Sequence, residues 1–366
     1  MKMTNDTSLE FNTHVFLDSI IRYAKLCYSL FGKHKGELML QPSENTLKQI
    51  SGTFKEFLEK NNLSPLIPLF QMTQTSLGYG YLDEIGVLYG ILWNTPRFLL
   101  SYGLNILGVR RDPYQIYILK GGFEKIWKTI VEKEMFDIRY NTNIRNIDRN
   151  GDNVVLDSEI SGSKVGKEKC DFLIWTPPMP ELINRLSSPS DEERELFSTL
   201  SPHVLLSTLI KELDIIRNRP ITFYPETVDE KIDGGITADM NLEDEFSYCE
   251  TNCSSTINDY SQERGSERIL SVVQLQREAS SEAESNEIIM KHYQKGFGAS
   301  RIEFINTKSW DYFYKWTPEK LGKGYHWKVF NIQGLQRTWY AGASVSFESV
   351  KSVLEYNELL LDQMRE

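Results

Sequence analysis

The strongest constraint in this sequence lies in its tail. From Arg337 a short strand pattern, TWYAG, runs into the small residues Gly342, Ala343 and Ser344, and a helical pattern follows from about Phe347 to the C-terminus. A strand ending this way lets the backbone approach another group closely, because Gly342 has no side chain and its neighbours have little. The helix beyond it aims unpaired N–H groups and a positive dipole end at whatever sits there. The other reading is a strand and helix packed tightly for their own sake.

Upstream, the chain changes character twice. From Phe11 to about Gly108 apolar residues recur at three and four positions, which predicts an all-helical block, with Thr46 and Gln49 as a capping box. Gly121 and Gly122 then mark a turn into a helix whose apolar face carries Phe123, Ile126, Trp127 and Ile130. Beyond it the period becomes two, through Ile138, Tyr140, Ile144 and Ile147, with Asn150-Gly151 as a hairpin turn before Val154 and Leu156. The apolar run Phe172 to Trp175, stopped by Thr176-Pro177-Pro178, predicts a central strand buried on both faces. Glu181 to about Phe304 reads as mixed, with ERILSVVQLQ a strand, SNEIIMKHYQKGF a helix, and the polar stretch Glu243 to Arg268 a long loop.

Composition removes several function classes. The 366 residues are 40% hydrophobic and 25% charged, a globular composition with room for two or three domains. Asp and Glu number 51 against 41 Lys and Arg, a net charge of −10 that argues against a nucleic-acid partner, which requires a basic stripe. Cys27, Cys170, Cys249 and Cys253 fit a reduced, cytoplasmic protein, and the last two lack the further ligands that zinc demands, so no metal is expected. No apolar run is long enough to span a bilayer. The most apolar stretch, Ile85 to Leu100, is broken by Gly90, Asn94 and Pro96 and reads as a helix pair, with membrane-surface contact as the alternative.

Two segments together resemble a known family. KGGFEKIWKTIVEKEMFDIRYNTNIRNIDRNGDNVVL with CDFLIWTPPMPEL, and SWDYFYKWTPEKLGKGYHWKVFNIQGLQRTWYAGASVSFESVKSVLEYNELLL, are similar to the middle and the C-terminal return of the flavin amine-oxidase superfamily, which includes desaturases and fatty acid isomerases. The resemblance implies an α/β fold: an incomplete FAD-binding domain of glutathione-reductase type, with a discontinuous mixed α+β substrate domain. It divides the chain into a helical substrate-side segment (1–115), a middle FAD-domain segment (116–179), a substrate domain (180–303) and an FAD-domain return (304–366). It implies non-covalent FAD, with no cysteine in the C-terminal motif to link it. Gly342, Ala343 and Ser344 would lie along the ribityl chain, Phe347 to Val350 near the ring, and Ile144 would offer its backbone to the adenine, while Thr176 and Pro177 end the neighbouring strand.

The sequence also departs from that family. Many members carry an acidic residue where Ala343 stands, and the family opens with a strand, G-x-G-x-x-G and a helix. The nearest strings here, at Gly78, Gly296 and Gly322, lack the third glycine and read as ordinary turns. A chain without that unit is expected to hold flavin weakly or not at all, since the glycine loop supplies most hydrogen bonds to the pyrophosphate.

Trp310 resembles a family tryptophan near the ring, its other reading being strand core, and Lys211 is the lysine that could hold a water there, its other reading being a solvated strand end. The function expected is FAD-dependent oxidation, of amine-oxidase type, of a small amine or lipophilic substrate, by a chain lacking the G-x-G-x-x-G unit. The competing expectation is a pseudoenzyme, a flavin-free binding module.

Overall fold

The structure, a computed structural model, describes residues 13–32, 41–107, 123–160, 163–213, 221–229, 231, 233–241, 267–278, 280–297 and 301–365. The Gly121-Gly122 turn, Cys249, Cys253 and most of the polar stretch lie outside them.

The first hundred residues form helices α1 (Thr13–Phe31), α2 (Glu44–Gln49), α3 (Phe54–Lys60), α4 (Ile67–Gln74), α5 (Val87–Trp93) and α6 (Pro96–Ile106). Phe16, Ile20, Tyr23, Cys27 and Leu30 recur along one face of α1 and are buried. The predicted capping box at Thr46 is not formed. Ser43 caps α2, the chain breaks at Ser51-Gly52, and Thr53 with Glu56 makes a reciprocal box that starts α3 separately. The helix pair expected from Ile85 to Leu100 is present as α5 and α6.

Helix α7 (Glu124–Glu134) has the predicted apolar face but buries none of it, and Trp127 is 48% exposed. Strands β1 (Thr142–Asp148), β2 (Val154–Ile160) and β3 (Ser163–Cys170) then form an antiparallel meander turning at Asn150-Gly151. Ile138 and Tyr140, predicted to open the strand run, precede it in irregular exposed chain.

Strand β4 (Leu173–Trp175) leads into α8 (Met179–Ile183) and α9 (Asp191–Phe197), followed by β5 (Ser201–Leu213), β6 (Ile221–Phe223), α10 (Pro225–Asp229), β7 (Ile236–Asn241), β8 (Arg268–Gln276), α11 (Glu282–Phe297) and β9 (Arg301–Lys315). Five of these strands form an antiparallel sheet in the order β6-β7-β8-β5-β9. Its own core joins Ile210, Leu270 and Val272 to Ile289 and Tyr293, one turn apart on α11.

The chain ends with α12 (Pro318–Gly322), α13 (Tyr325–Asn331), β10 (Thr338–Tyr340) and α14 (Val350–Arg365). β10 pairs in parallel with β4, and among the described residues these two strands are the whole of that sheet. The expectation of a strand buried on both faces is corrected here: Trp175 is buried, but Phe172 and Ile174 are 51% and 47% exposed. The apolar run does form a strand, β4, with one face open among the described residues.

A buried polar knot ties these parts together. Arg149, just past β1, donates two hydrogen bonds to Glu193 of α9 (2.8 and 2.9 Å) and a third to Thr338 of β10 (2.9 Å). Tyr340 donates to the same carboxylate at 2.5 Å, and Ser190 N–H at 2.7 Å. Burial alone would raise the Glu193 carboxyl, but these donors outweigh it and hold it below the usual range.

Candidate active site

The ends of the parallel pair meet where the sequence placed the bend. Ala341 N–H donates to the Trp175 carbonyl at 2.9 Å, which brings Thr176 beside Gly342. Gly342 has φ +92°, and a Cβ there would stand 2.5 Å from the Thr176 carbonyl oxygen, so only glycine fits. Its own carbonyl accepts from Ser346 N–H (3.2 Å) and Ser346 Oγ (2.9 Å), closing a tight turn. Ala343 lies in this turn, and Ser344 is buried with a hydroxyl that has no partner among the described residues.

The helix begins at Val350 and not near Phe347. Ser349 stops it from extending backward: its hydroxyl accepts from Ser352 N–H at 3.1 Å, in the manner of an N-cap. Val350 is 46% exposed at the open end. Phe347 is fully buried, stacked on Tyr79 at 5.4 Å and set edge-on to Phe313 at 5.3 Å, with Trp93 at 6.2 Å. It belongs to an aromatic core between the helical block and β9, not to an open wall. Tyr79 is fastened to this junction by donating from its hydroxyl to the Glu348 carbonyl at 3.0 Å.

The two weak catalytic candidates stand apart from that junction. Trp310 is 51% exposed on β9, the edge strand, with the Lys308 ammonium 5.5 Å from its ring. Lys211 pairs with Glu267, and it lies eight residues along β5 from His203, roughly 26 Å at strand rise. The residues that do gather around Phe347 are Tyr79, Tyr89, Phe313 and, beyond Phe313, His203 and Lys315. Of these, His203 and Lys315 carry no motif in the sequence that would single them out. The one signal beside them was Pro202, which cannot complete a strand ladder.

Ile144 lines a cavity of roughly 390 Å³ on one face of the meander, with Thr142, Leu156 and Ser158. The alternation of side chains puts these four on the same face. Ser158 is buried there with an unpartnered hydroxyl, and the Ile144 carbonyl already accepts from Arg185 Nε at 3.0 Å. This cavity and the bend are linked by the Arg149 knot.

No family model matches this sequence, and no curated protein does. Comparison with solved structures finds the same fold in a fatty acid isomerase and in amine-oxidising enzymes. A fatty acid isomerase from P. acnes, described as producing CLA, superposes with a TM-score of 0.73 at 16% identity over 99% of this chain and 77% of that one. A putrescine oxidase variant redesigned in cofactor binding gives 0.61 at 10% identity, covering 100% and 78%. Cyclohexylamine oxidase from Brevibacterium oxydans gives 0.55 at 13%, covering 99% and 77%. The resemblance read from the sequence is thereby met at the level of the fold.

The residues present fit parts of a flavin dinucleotide. The meander cavity, with the unpartnered Ser158 hydroxyl, suits a flat polar base. The unpartnered Ser344 hydroxyl and the open start of α14 suit the polar chain and ring edge. Of the three glycine strings, Gly78 and Gly80 form a turn after α4, and Gly322 and Gly324 join α12 to α13; neither follows a strand. Gly296 lies at the end of α11, and the residues after it are outside those described.

Proposed function

We propose that this protein is an FAD-dependent oxidoreductase of amine-oxidase type acting on a lipophilic or amine-bearing small molecule. The observation that carries the reading is the convergence at the carboxyl ends of β4 and β10, where ligands of open α/β sheets bind. There Gly342 is pressed against Thr176, Ser344 holds an unused buried hydroxyl, and α14 begins.

When bound, FAD supplies the redox chemistry, taking a hydride from a substrate C–H bond. The chain's own residues bind and shield. Ile144 and Ser158 would hold the adenine end, Ser344 would donate its hydroxyl to the polar chain, and the N–H groups at Val350 would face the ring edge. Tyr79, Phe313 and Phe347 exclude water from the substrate side.

The visible spectrum of the purified full chain, before and after adding FAD, tests this. Bound-flavin bands that weaken in Ser344→Ala support it, because that substitution removes an unsatisfied buried group and leaves the fold intact or more stable. A preparation that stays colourless at saturating FAD favours the flavin-free binding module instead.

A further inference from the structure

The most apolar stretch of the sequence divides in the fold. Helix α5 is buried, with Val87, Leu88, Ile91 and Leu92 in the core, but α6 lies at the surface. Its sequence, PRFLLSYGLNI, carries one charged residue, Arg97, and is apolar nearly all round, the pattern of a helix with hydrocarbon on more than one side. One side is the protein itself: Leu99 is fully buried, and a Cβ on Gly103 would stand 3.3 Å from Leu17 of α1. The other side faces outward, where Phe98, Leu104 and, just past the helix end, Leu107 are exposed.

Helix α1 continues that outer face. The two helices run antiparallel in one layer: the Tyr23 hydroxyl donates to the Asn94 carbonyl at 2.8 Å at one end, and the Phe16 ring meets Tyr102 at 6.5 Å towards the other. On the outer side of α1, Ile21, Lys25 and Tyr28 stand four and three residues apart, one above the next, and all are exposed. Val15 is exposed one residue from Phe16, at the end where Leu104 and Leu107 lie.

The charge of this layer is opposite to that of the chain. The whole sequence has a net charge of −10, yet no Asp or Glu occurs from Ile85 to Leu107, and the acid of α1, Asp18, is taken up by Arg22 at 2.7 Å. Lys25 and Arg97 are exposed and form no ion pair with any described residue. Both lie near the Tyr23–Asn94 bond, at one end of the layer. At physiological salt, charges beyond about 8 Å are screened, so what the layer attracts is set by these two cations and not by the net charge. The face therefore offers hydrocarbon along its length and lacks negative charge at one end. An anionic lipid surface supplies both partners, acyl chains for the leucines and head-group phosphates for the cations, whose stems reach outward from an apolar layer. Phe98, stacked on Tyr102 at 6.4 Å, gives the flat amphipathic pair that suits the boundary between them.

We propose that the outer face of α1 and α6 rests on the surface of an anionic lipid bilayer, with Leu104 and Leu107 among the acyl chains and Lys25 and Arg97 at the head-group phosphates. This holds whether or not the chain binds flavin.

Flotation of the full chain with lipid vesicles on a density gradient tests it, using phosphatidylcholine alone and phosphatidylcholine with phosphatidylserine at about 7:3. The parent is expected to float with the mixed vesicles, to stay behind with phosphatidylcholine, and to be released by high salt. K25E/R97E keeps every apolar residue and is expected to bind the mixed vesicles about thirtyfold or more weakly, the worth of two surface cations. L104E/L107E keeps the cations and is expected to lose binding as well, since hydrocarbon contact goes with the leucines. A parent that does not float with mixed vesicles overturns the proposal, and so does binding that K25E/R97E leaves unchanged. Equal flotation with both lipids overturns the role given to Lys25 and Arg97, a comparison within the parent that stands even where a variant fails to fold. A parent that ignores both vesicles but sediments as a dimer, and as a monomer in L104E/L107E, gives the face to a second copy of this chain and overturns the lipid assignment.

Discussion

Gln333 offers its side-chain amide to Tyr340 as a neighbouring strand would: Oε1 accepts from the Tyr340 N–H at 2.8 Å and Nε2 donates to its carbonyl at 2.8 Å. The outer edge of β10 is therefore closed by a side chain, while β4 carries no strand on its other side among the described residues. Gln333→Leu leaves two backbone groups unpaired and is expected to destabilise the protein by about 1–3 kcal/mol. A urea midpoint equal to the parent's would refute that.

Gly342→Ala should be among the more damaging single-methyl changes in the chain. Its Cβ meets the backbone oxygen of Thr176, which cannot rotate away, and its φ of +92° is strained for any L-residue. A loss of about 2 kcal/mol or more is expected from the strain and the clash together. Ala343→Gly in the same turn meets no such wall, and an equal loss from both would show that chain flexibility and not close approach governs the bend.

The Arg149–Glu193 pair is buried on both sides and fully hydrogen-bonded. Removing one partner strands a charge, so Arg149→Met should cost about 3–5 kcal/mol. Replacing both, as Arg149→Met with Glu193→Leu, should recover part of that loss. Unfolding curves of the two singles and the double decide it, and simple additivity would mean the groups do not act as a pair.

Acid should weaken the fold before ordinary carboxylates titrate. His326 is buried beside Trp316 and Trp327 with an unpartnered Nδ1, and burial pushes it down to about 4. His203 behaves likewise, at about 3. Both folded values lie below the unfolded value of 6.5, so between them the unfolded chain binds more protons and stability falls as pH falls. Glu193 adds to this at lower pH, since its depressed carboxyl gives stability above the usual range that is lost as pH drops through the folded value. Each histidine can contribute a slope approaching about 1.4 kcal/mol per pH unit in this window. Denaturant unfolding at pH 7, 6 and 5 should show that decline, reduced in His326→Phe; a flat profile would contradict it.

Much of the fold was legible because it is written locally. The amphipathic face of α1, the Asn150-Gly151 turn, strand β8 and helix α11 each follow from periodicity within a dozen or so residues. Capping was legible only where two signals did not compete: Thr46 and Gln49 had the right spacing, but Ser43 and Thr53 are the caps, because the run forms two helices, α2 ending at Gln49 and α3 beginning at Phe54. The site was legible in part. Gly342 and Ser344 are where small residues demanded a close approach, while Trp310 and Lys211, which rest on the family resemblance alone, lie on an exposed edge and a distant strand end.

The sequence by itself determined the elements and the small-residue bend, because both depend on side-chain volume and on spacing along the chain. Only the tertiary structure decided that Phe347 faces Tyr79, that Pro202 opens a bulge for Phe313, and that the Lys315 ammonium comes to lie beside the Phe313 ring. Those facts depend on which strands become neighbours. Such pairings join residues a hundred or more positions apart, and no local period records them.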